Sequence, residues 1–374
     1  MKKVFRVAII CKFILITTHI ANAYEAGPFT LEAMYIGDVI GNLHGGIKTG
    51  AAYMGKADIA VSFHTDRAKW WKGGILKVKL ENTHGGTPSA DLVGDFQVFN
   101  NIEAGNHTYL SELWYAQQIK RVRLQLGLID MNSDFMVTDH AGIFMNSSFG
   151  VPSTISTNNP IPIFPLTGLG FTIQYAVTDG LQLAGGVFDG TQKDWDENPY
   201  NVNWSFSKYD GIFSIFEVQS TYSIFKSLES NIKLGAYNWW HVDQLSNADN
   251  YNYGLYLSLE QEVFHTSSDA CMHVFSQLSW TPAAYNYNDV YFSVGAHATG
   301  FWKKRPADEA AIAMCMAYFS SDKEAETNLE VSYKFSFLNH IYMQPHFQCI
   351  FNPKGTETHL DTAILLGLRF GLNF

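Results

Sequence analysis

Residues 365–374 read LLGLRFGLNF and end the sequence on an aromatic side chain. Chain ends fray in water unless something ties them down. Taken as an extended strand, this segment splits by parity. Ile364, Leu366, Leu368, Phe370, Leu372 and Phe374 share one face, and Ala363, Leu365, Gly367, Arg369, Gly371 and Asn373 share the other. The first face suits lipid or a protein core. The second is mostly small or polar and carries an arginine.

The same alternation recurs upstream. Residues 75–81 (ILKVKLE) set Leu76, Val78 and Leu80 against Lys77, Lys79 and Glu81. Residues 122–128 (VRLQLGL) set Leu124 and Leu126 against Arg123, Gln125 and Gly127, and 171–178 (FTIQYAVT) and 327–337 (TNLEVSYKFSF) repeat the pattern. Period-two alternation marks half-buried strands. Sixteen such segments are expected, at 29–40, 52–66, 74–83, 108–118, 121–129, 169–178, 181–189, 210–223, 229–241, 251–264, 270–280, 289–301, 309–319, 328–338, 340–350 and 361–374.

Composition agrees. Charged residues make up only 16%, against about 25% in soluble domains, although hydrophobic residues reach 47%. Aromatics are abundant (27 Phe, 19 Tyr, 9 Trp), yet beyond the N-terminus no apolar run approaches the roughly 20 residues of a membrane helix. The connections alternate between tight and long. Residues 119–121 (IKR) and 178–180 (TDG) are tight turns, whereas 83–107 and 130–168 are long loops. This is the plan of a transmembrane antiparallel β-barrel of about 16 strands, with short periplasmic turns and long extracellular loops. Phe374 then falls at the periplasmic rim. A soluble β-sandwich also alternates. What favours the barrel is the loop asymmetry, the aromatic strand ends at Trp70–Trp71, Trp239–Trp240, Trp280 and Phe301–Trp302, and an export signal.

That signal occupies residues 1–23. Lys2, Lys3 and Arg6 precede an apolar stretch from Val7 to Ile20, and Ala21-Asn22-Ala23 is a small-residue cleavage site. The expected division is a signal peptide, 1–23, cleaved near Ala23, and a barrel domain, 24–374, in the outer membrane of a Gram-negative bacterium. The first 23 residues hold four basic and no acidic side chains. That leaves 21 basic against 35 acidic residues, a formal charge of −14 that argues against a nucleic-acid partner. Removing Cys11 with the signal leaves Cys271, Cys315 and Cys349, an odd set on alternate expected strands that is expected to stay unpaired.

Catalytic and cofactor motifs fail. GNLHGGIKT (41–49) has Ile47 where a phosphate loop needs lysine, and DWDENP (194–199) lacks the glycine of a calcium loop. His64, His273, His297 and His346 are scattered over different strands, so no metal site is expected. No enzymatic activity and no cofactor are expected. A barrel enzyme would need a Ser/His pair at one depth on its outer wall, and none is evident.

Several stretches resemble the carbohydrate-selective porin family of the OprB type. They are WWKGGILKVKLENTHGG (70–86), VGDFQVFNNIEA (93–104), LSELWYAQ (110–117), RLQLGLIDMNSDFMVTDHAGIFMNSSFGVP (123–152) and GGVFDGTQKDWDENP (185–199). The resemblance implies a sixteen-stranded outer-membrane barrel for passive diffusion of small sugars. It also implies that the terminal Phe374 resembles the signal read by the outer-membrane assembly machinery. The region from Trp204 to Tyr253 fits the family poorly, which bears on substrate preference. A general or ion-selective porin of the same fold remains the alternative. The expected partners are small sugars, outer-membrane lipid and lipopolysaccharide, and the oligomeric state, monomer or trimer, stays open.

Parity assigns a lumen-facing set: Asp58, Lys77, Lys79, Glu81, Glu112, Trp114, Arg123, Gln125, Glu217, Gln219, Lys233, Glu260, Glu330, Lys334 and Arg369. Within it, Lys77, Lys79, Glu81, Glu112, Trp114 and Arg123 lie on consecutive strands. Together with Asp130, Asn132 and Asp134 of the 130–168 loop, folded into the lumen, they are the expected substrate-binding constriction. Mixed charges orient dipolar solutes and hydrogen-bond hydroxyls, whereas a ring of one sign selects ions. Trp114, Tyr237, Trp239 and Tyr256 are further candidates for stacking against sugar rings.

Overall fold

The computed structural model describes residues 24–374 apart from 206, 208, 225–227, 244–245, 247–248, 267–269 and 338–339. The expected signal peptide lies outside the described residues. A three-residue strand, β1 (Tyr24–Ala26), precedes sixteen long ones. These are β2 (Phe29–His44), β3 (Gly50–His64), β4 (Gly74–Gly85), β5 (His107–Ile119), β6 (Val122–Ile129), β7 (Gly168–Thr178), β8 (Leu181–Asp189), β9 (Ile212–Ile224), β10 (Leu228–Val242), β11 (Asp249–His265), β12 (Cys271–Trp280), β13 (Val290–Thr299), β14 (Glu309–Phe319), β15 (Glu324–Phe337), β16 (Ile341–Phe351) and β17 (Ala363–Asn373). Each expected strand has its counterpart, with the largest boundary shifts at His44 and Glu324.

Every long strand pairs antiparallel with its neighbours in sequence, and β17 returns to β2, closing the barrel. The register at this seam sets Arg369 opposite Asp38. The guanidinium grips that carboxylate with two bonds, Nε to Oδ1 at 2.8 Å and Nη2 to Oδ2 at 2.7 Å. Beyond β17 the chain end is held too. Phe374 N donates to the Ala33 carbonyl at 2.8 Å, and Ala33 N donates to the Phe374 carbonyl at 3.0 Å. β1 then continues along the same edge of β2, pairing Tyr24 with Leu31. The small residues on the inner face of β17 make room for neighbouring rings. A Cβ at Gly371 would lie 2.0 Å from the Tyr342 ring, and one at Gly367 would lie 2.1 Å from His346.

The two faces of the wall invert the pattern of a soluble protein. Ile59, Leu80, Leu126, Phe216, Leu255, Ile312 and Leu366 are exposed on the outside, whereas Asp38, Glu217, Glu330 and Gln348 are wholly buried on the inside. Charges on the outer wall would cost about 2–4 kcal/mol at mid-membrane, so this arrangement is stable only with lipid outside. Trp70, Trp71, Phe301 and Trp302 are exposed at the short-turn end and Trp280 at the other, as interfacial girdles require. Trp239 is different: it packs inward against a buried cluster and stacks on His241.

Two loops occupy the lumen. Loop 130–167 crosses it, packing Met131, Phe135, Met136, Val151, Ile155 and Ile161 against Phe188, Phe213, Ile215, Tyr237 and Tyr256 of the wall. Loop 86–106 also turns inward and buries Leu92, Val93, Phe99 and Ile102 against Ile40, Met54, Ile350 and Leu365. The loops meet where Asn101 N donates to the Met145 carbonyl at 2.7 Å and Ser147 N to the Val98 carbonyl at 3.0 Å.

Candidate functional site

Buried loop backbone needs hydrogen-bond partners. Wall glutamates supply them. Glu217 accepts from Met136 N at 3.0 Å, Glu260 from His140 N at 2.8 Å, and Glu330 from Met145 N and Asn146 N at 2.7 and 3.1 Å. Glu326 accepts from Phe96 N and Gln97 N at 2.7 and 2.9 Å and so fixes the second loop. Arg369 reaches that loop as well, donating to Asn101 Oδ1 at 2.8 Å. Glu217, Glu260, Glu330 and Arg369 of the parity-assigned set therefore face inward but hold loops in place, and Glu326, outside that set, does the same. Tyr237 and Tyr256 are likewise covered by loop 130–167, and the Tyr256 hydroxyl donates to Glu217 at 2.7 Å. Neither offers a free ring face to a solute.

A ladder of charges remains on the wall formed by β3 to β6. The register sets Asp58 opposite Glu81, Lys79 opposite Glu112, and Lys77 opposite Trp114. Lys79 contacts Glu81 directly and lies 3.5 Å from Asp58 and 3.7 Å from Glu112. Lys77 is 3.4 Å from Glu112. Lys56 is 3.3 Å from Asp58 and 3.6 Å from Glu81. Neutral donors complete the carboxylates: the Tyr109 hydroxyl donates to Glu81 and Trp114 Nε1 to Glu112, both at 2.6 Å. Two cations stand near the Trp114 ring, with Lys77 Nζ at 5.8 Å and Arg123 at 5.7 Å from its centroid. The four lysine and arginine side chains retain partial exposure. The opposite charges are paired along one wall, not across the lumen.

A β-bulge in the β4–β5 pairing shapes this ladder. Lys79 pairs with Glu112 but Leu80 pairs with Leu110, so Ser111 is the extra residue. The bulge switches the inward parity of β5, bringing both Tyr109 and Glu112 to the lumen side. Simple alternation from Glu112 and Trp114 puts Tyr109 outside, which is why sequence reasoning missed it. Lys56 and Phe164 were missed as well; Lys56 Nζ stands 4.5 Å over the Phe164 ring contributed by loop 130–167.

The same loop brings acids to the ladder. Asp134 Oδ1 lies 3.4 Å from Arg123 Nη1 and accepts from Gln174 at 3.0 Å. Burial raises its pKa, and Arg123 opposes that rise. Asp130 caps a short 3₁₀ turn by accepting from Asn132 N at 3.0 Å. Burial, reinforced by Glu112 and opposed by Lys79, pushes it up to about 6. Asn132 is in the same turn, but its amide donates to the Phe135 carbonyl at 3.1 Å. It braces the loop and is apart from the charged ladder.

An apolar outer wall, a charged inner wall and a lumen narrowed by inserted loops define a diffusion channel of the outer membrane, a porin. The chain belongs to the carbohydrate-selective porin, OprB family, whose sequence model matches residues 48–374. It is an outer-membrane sugar porin. Among solved structures it is similar to OprB of Pseudomonas putida in its high-pH structure, with a TM-score of 0.83, 19% identity, and coverage of 93% of this chain and 94% of that one. The low-pH structure of the same porin gives 0.61 and 16% over 93% of each chain. A loop-deletion mutant of OmpT from Vibrio cholerae gives 0.57 and 10%, covering 94% of this chain and all of that one. A search of curated proteins finds no match.

Proposed function

We propose that the β3–β6 ladder is the sugar-selecting constriction. Lys77, Lys79, Glu81, Glu112, Trp114 and Arg123 form its wall, and Asp134 and Asp130 complete it from the loop. The observation that carries this reading is the interleaving of four cations, Lys56, Lys77, Lys79 and Arg123, with four carboxylates, Asp58, Glu81, Glu112 and Asp134. Such a surface offers donors and acceptors to hydroxyl groups and little net charge to an ion. The Trp114 ring supplies an apolar face for the C–H side of a sugar, and the barrel and its family speak for a channel without enzymatic chemistry.

Arg123 is the most direct handle. Its guanidinium holds a planar fork of donors and a permanent charge. Replacing Arg123 with Ala should weaken saturable sugar binding by about 1.5–3 kcal/mol, the scale of a lost charged hydrogen bond. It should also raise small-ion conductance, and Arg123→Gln should fall between. Leu124→Ala, on the lipid side of the same strand, serves as control. Sugar-induced block in planar bilayers reads all three. Unchanged affinity and conductance in Arg123→Ala would place the constriction elsewhere.

Three further readings go with this one. Residues 1–23 direct export and are cleaved near Ala23. The outer wall meets outer-membrane lipid and lipopolysaccharide. Phe374 is a recognition signal for the outer-membrane assembly machinery.

A further inference from the structure

Loop 130–167 carries a titratable cluster on the far side of the lumen from the charged ladder. The His140 ring stacks on His273 of β12, with centroids 3.7 Å apart and planes 13° from parallel. His140 Nδ1 lies 3.2 Å from Nδ1 of His297 on β13. Nε2 of His297 meets Glu309 Oε2 of β14 at 2.9 Å, and Lys334 of β15 donates to the other oxygen at 2.8 Å. From β11, Glu260 accepts the His140 backbone N–H, and from β10, Lys233 donates to the Val137 carbonyl. Glu262 and Glu229 are the acids nearest His273, and Asp139 adjoins Glu260.

A shared metal ion does not fit this group. Imidazole binds a metal in the plane of its ring, and two stacked, nearly parallel planes cannot both contain one ion. Proton chemistry fits better. Two Nδ1 atoms at 3.2 Å are stable when one proton lies between them. A second proton turns both into donors, and a stacked pair of imidazolium ions repels. Protonating the docked group is therefore opposed by its own geometry, and release relieves that opposition.

We propose that His140, His273 and His297 form a pH-sensitive latch, holding residues 137–143 against the wall at neutral pH and releasing them into the passage on acidification. The direction of release follows from the barrel. β12 and β4 are eight strands apart in a ring of sixteen, so they stand opposite. A loop leaving β12 moves toward the ladder and narrows the opening beside it.

The sign follows from linkage. Burial first, then His273 and His297, push docked His140 down to about 3. A released imidazole titrates near its ordinary value of about 6.5. A base whose pKa is depressed by docking stays docked above the free value. It loses that preference as pH falls from about 6.5 toward the docked value. From His140 alone, the ratio of released to docked loop rises about 30-fold by pH 5.

The test is single-channel recording of the mature protein, without sugar, between pH 8 and pH 5. Wild type should show a reduced-conductance state whose occupancy, relative to the open state, grows about 30-fold by pH 5. His140→Phe keeps an aromatic ring without the charge and should cut the rise to under about threefold while leaving the pH 8 conductance unchanged. His273→Phe changes the wall instead of the loop and should also blunt the response, which covers failure of the first variant to fold. Occupancy independent of pH in wild type, or a full response in either folded variant, overturns the latch. Failure to conduct at any pH would instead count against the channel itself.

Discussion

Arg369 joins the first and last long strands and one lumenal loop through a single side chain. Its partner Asp38 is wholly buried, and Asn100 donates to the same carboxylate at 2.7 Å. Removing one member of a buried pair leaves the other charge uncompensated, at a cost of about 3–5 kcal/mol. Arg369→Ala should therefore convert from the folded to the unfolded gel band at a clearly lower temperature. The double variant with Asp38→Ala should lose less than the sum of the singles. An unchanged conversion temperature in Arg369→Ala would mean that the seam does not depend on this pair. Phe374 is a different case. Its backbone is bonded on both sides, the residue is 58% exposed, and its ring stacks on that of His340 with centroids 6.0 Å apart. An exposed terminal ring of this kind is open to the assembly role proposed above. Deleting it should reduce the folded barrel recovered from the outer membrane while leaving export intact. Undiminished recovery would refute the assembly role.

At the scale of elements, loop 130–167 depends on charged acceptors. Glu330 serves two adjacent backbone donors, and a glutamine there keeps one acceptor oxygen and loses the charge. A charged hydrogen bond is worth about 1.5–3 kcal/mol. Glu330→Gln should leave the barrel folded but increase open-channel current noise and speed amide exchange across residues 145–151. Equal noise and exchange would show that the loop is held by its apolar contacts alone. How far such features can be read from sequence depends on the element. The 130–168 loop was legible because its length demands a role and its prolines brace it. The inward turn of loop 86–106 was missed, although Leu92, Val93, Phe99 and Ile102 are apolar residues that an exposed loop has no reason to carry. Tyr109 was hidden by the bulge at Ser111, since alternation holds only while the register does. Trp239 allowed two readings, girdle residue or inward ring, because strand-end position cannot tell an outward ring from one covered by a loop.

For the whole molecule, alternation fixed the strands but not which face met lipid. The exposed apolar outside and buried acidic inside settle that question. Strand number and order were accessible because each strand pairs with its neighbours in sequence. The path of the loops depends on contacts between residues more than two hundred positions apart, such as Gln344 donating to the Ile143 carbonyl and Arg369 to Asn101 Oδ1. The three cysteines among the described residues follow the strands: Cys271, Cys315 and Cys349 are free, on β12, β14 and β16, and no two of these strands are adjacent. On the function proposed above, the balanced ladder is what separates a sugar channel from an ion-selective pore of the same shape. The most direct measurement is single-channel current through the wild-type mature protein while a neutral sugar is titrated. A sugar-selecting constriction predicts block that saturates with concentration. A current that falls only in proportion to the conductivity of the solution, with no saturation for any small sugar, would contradict it.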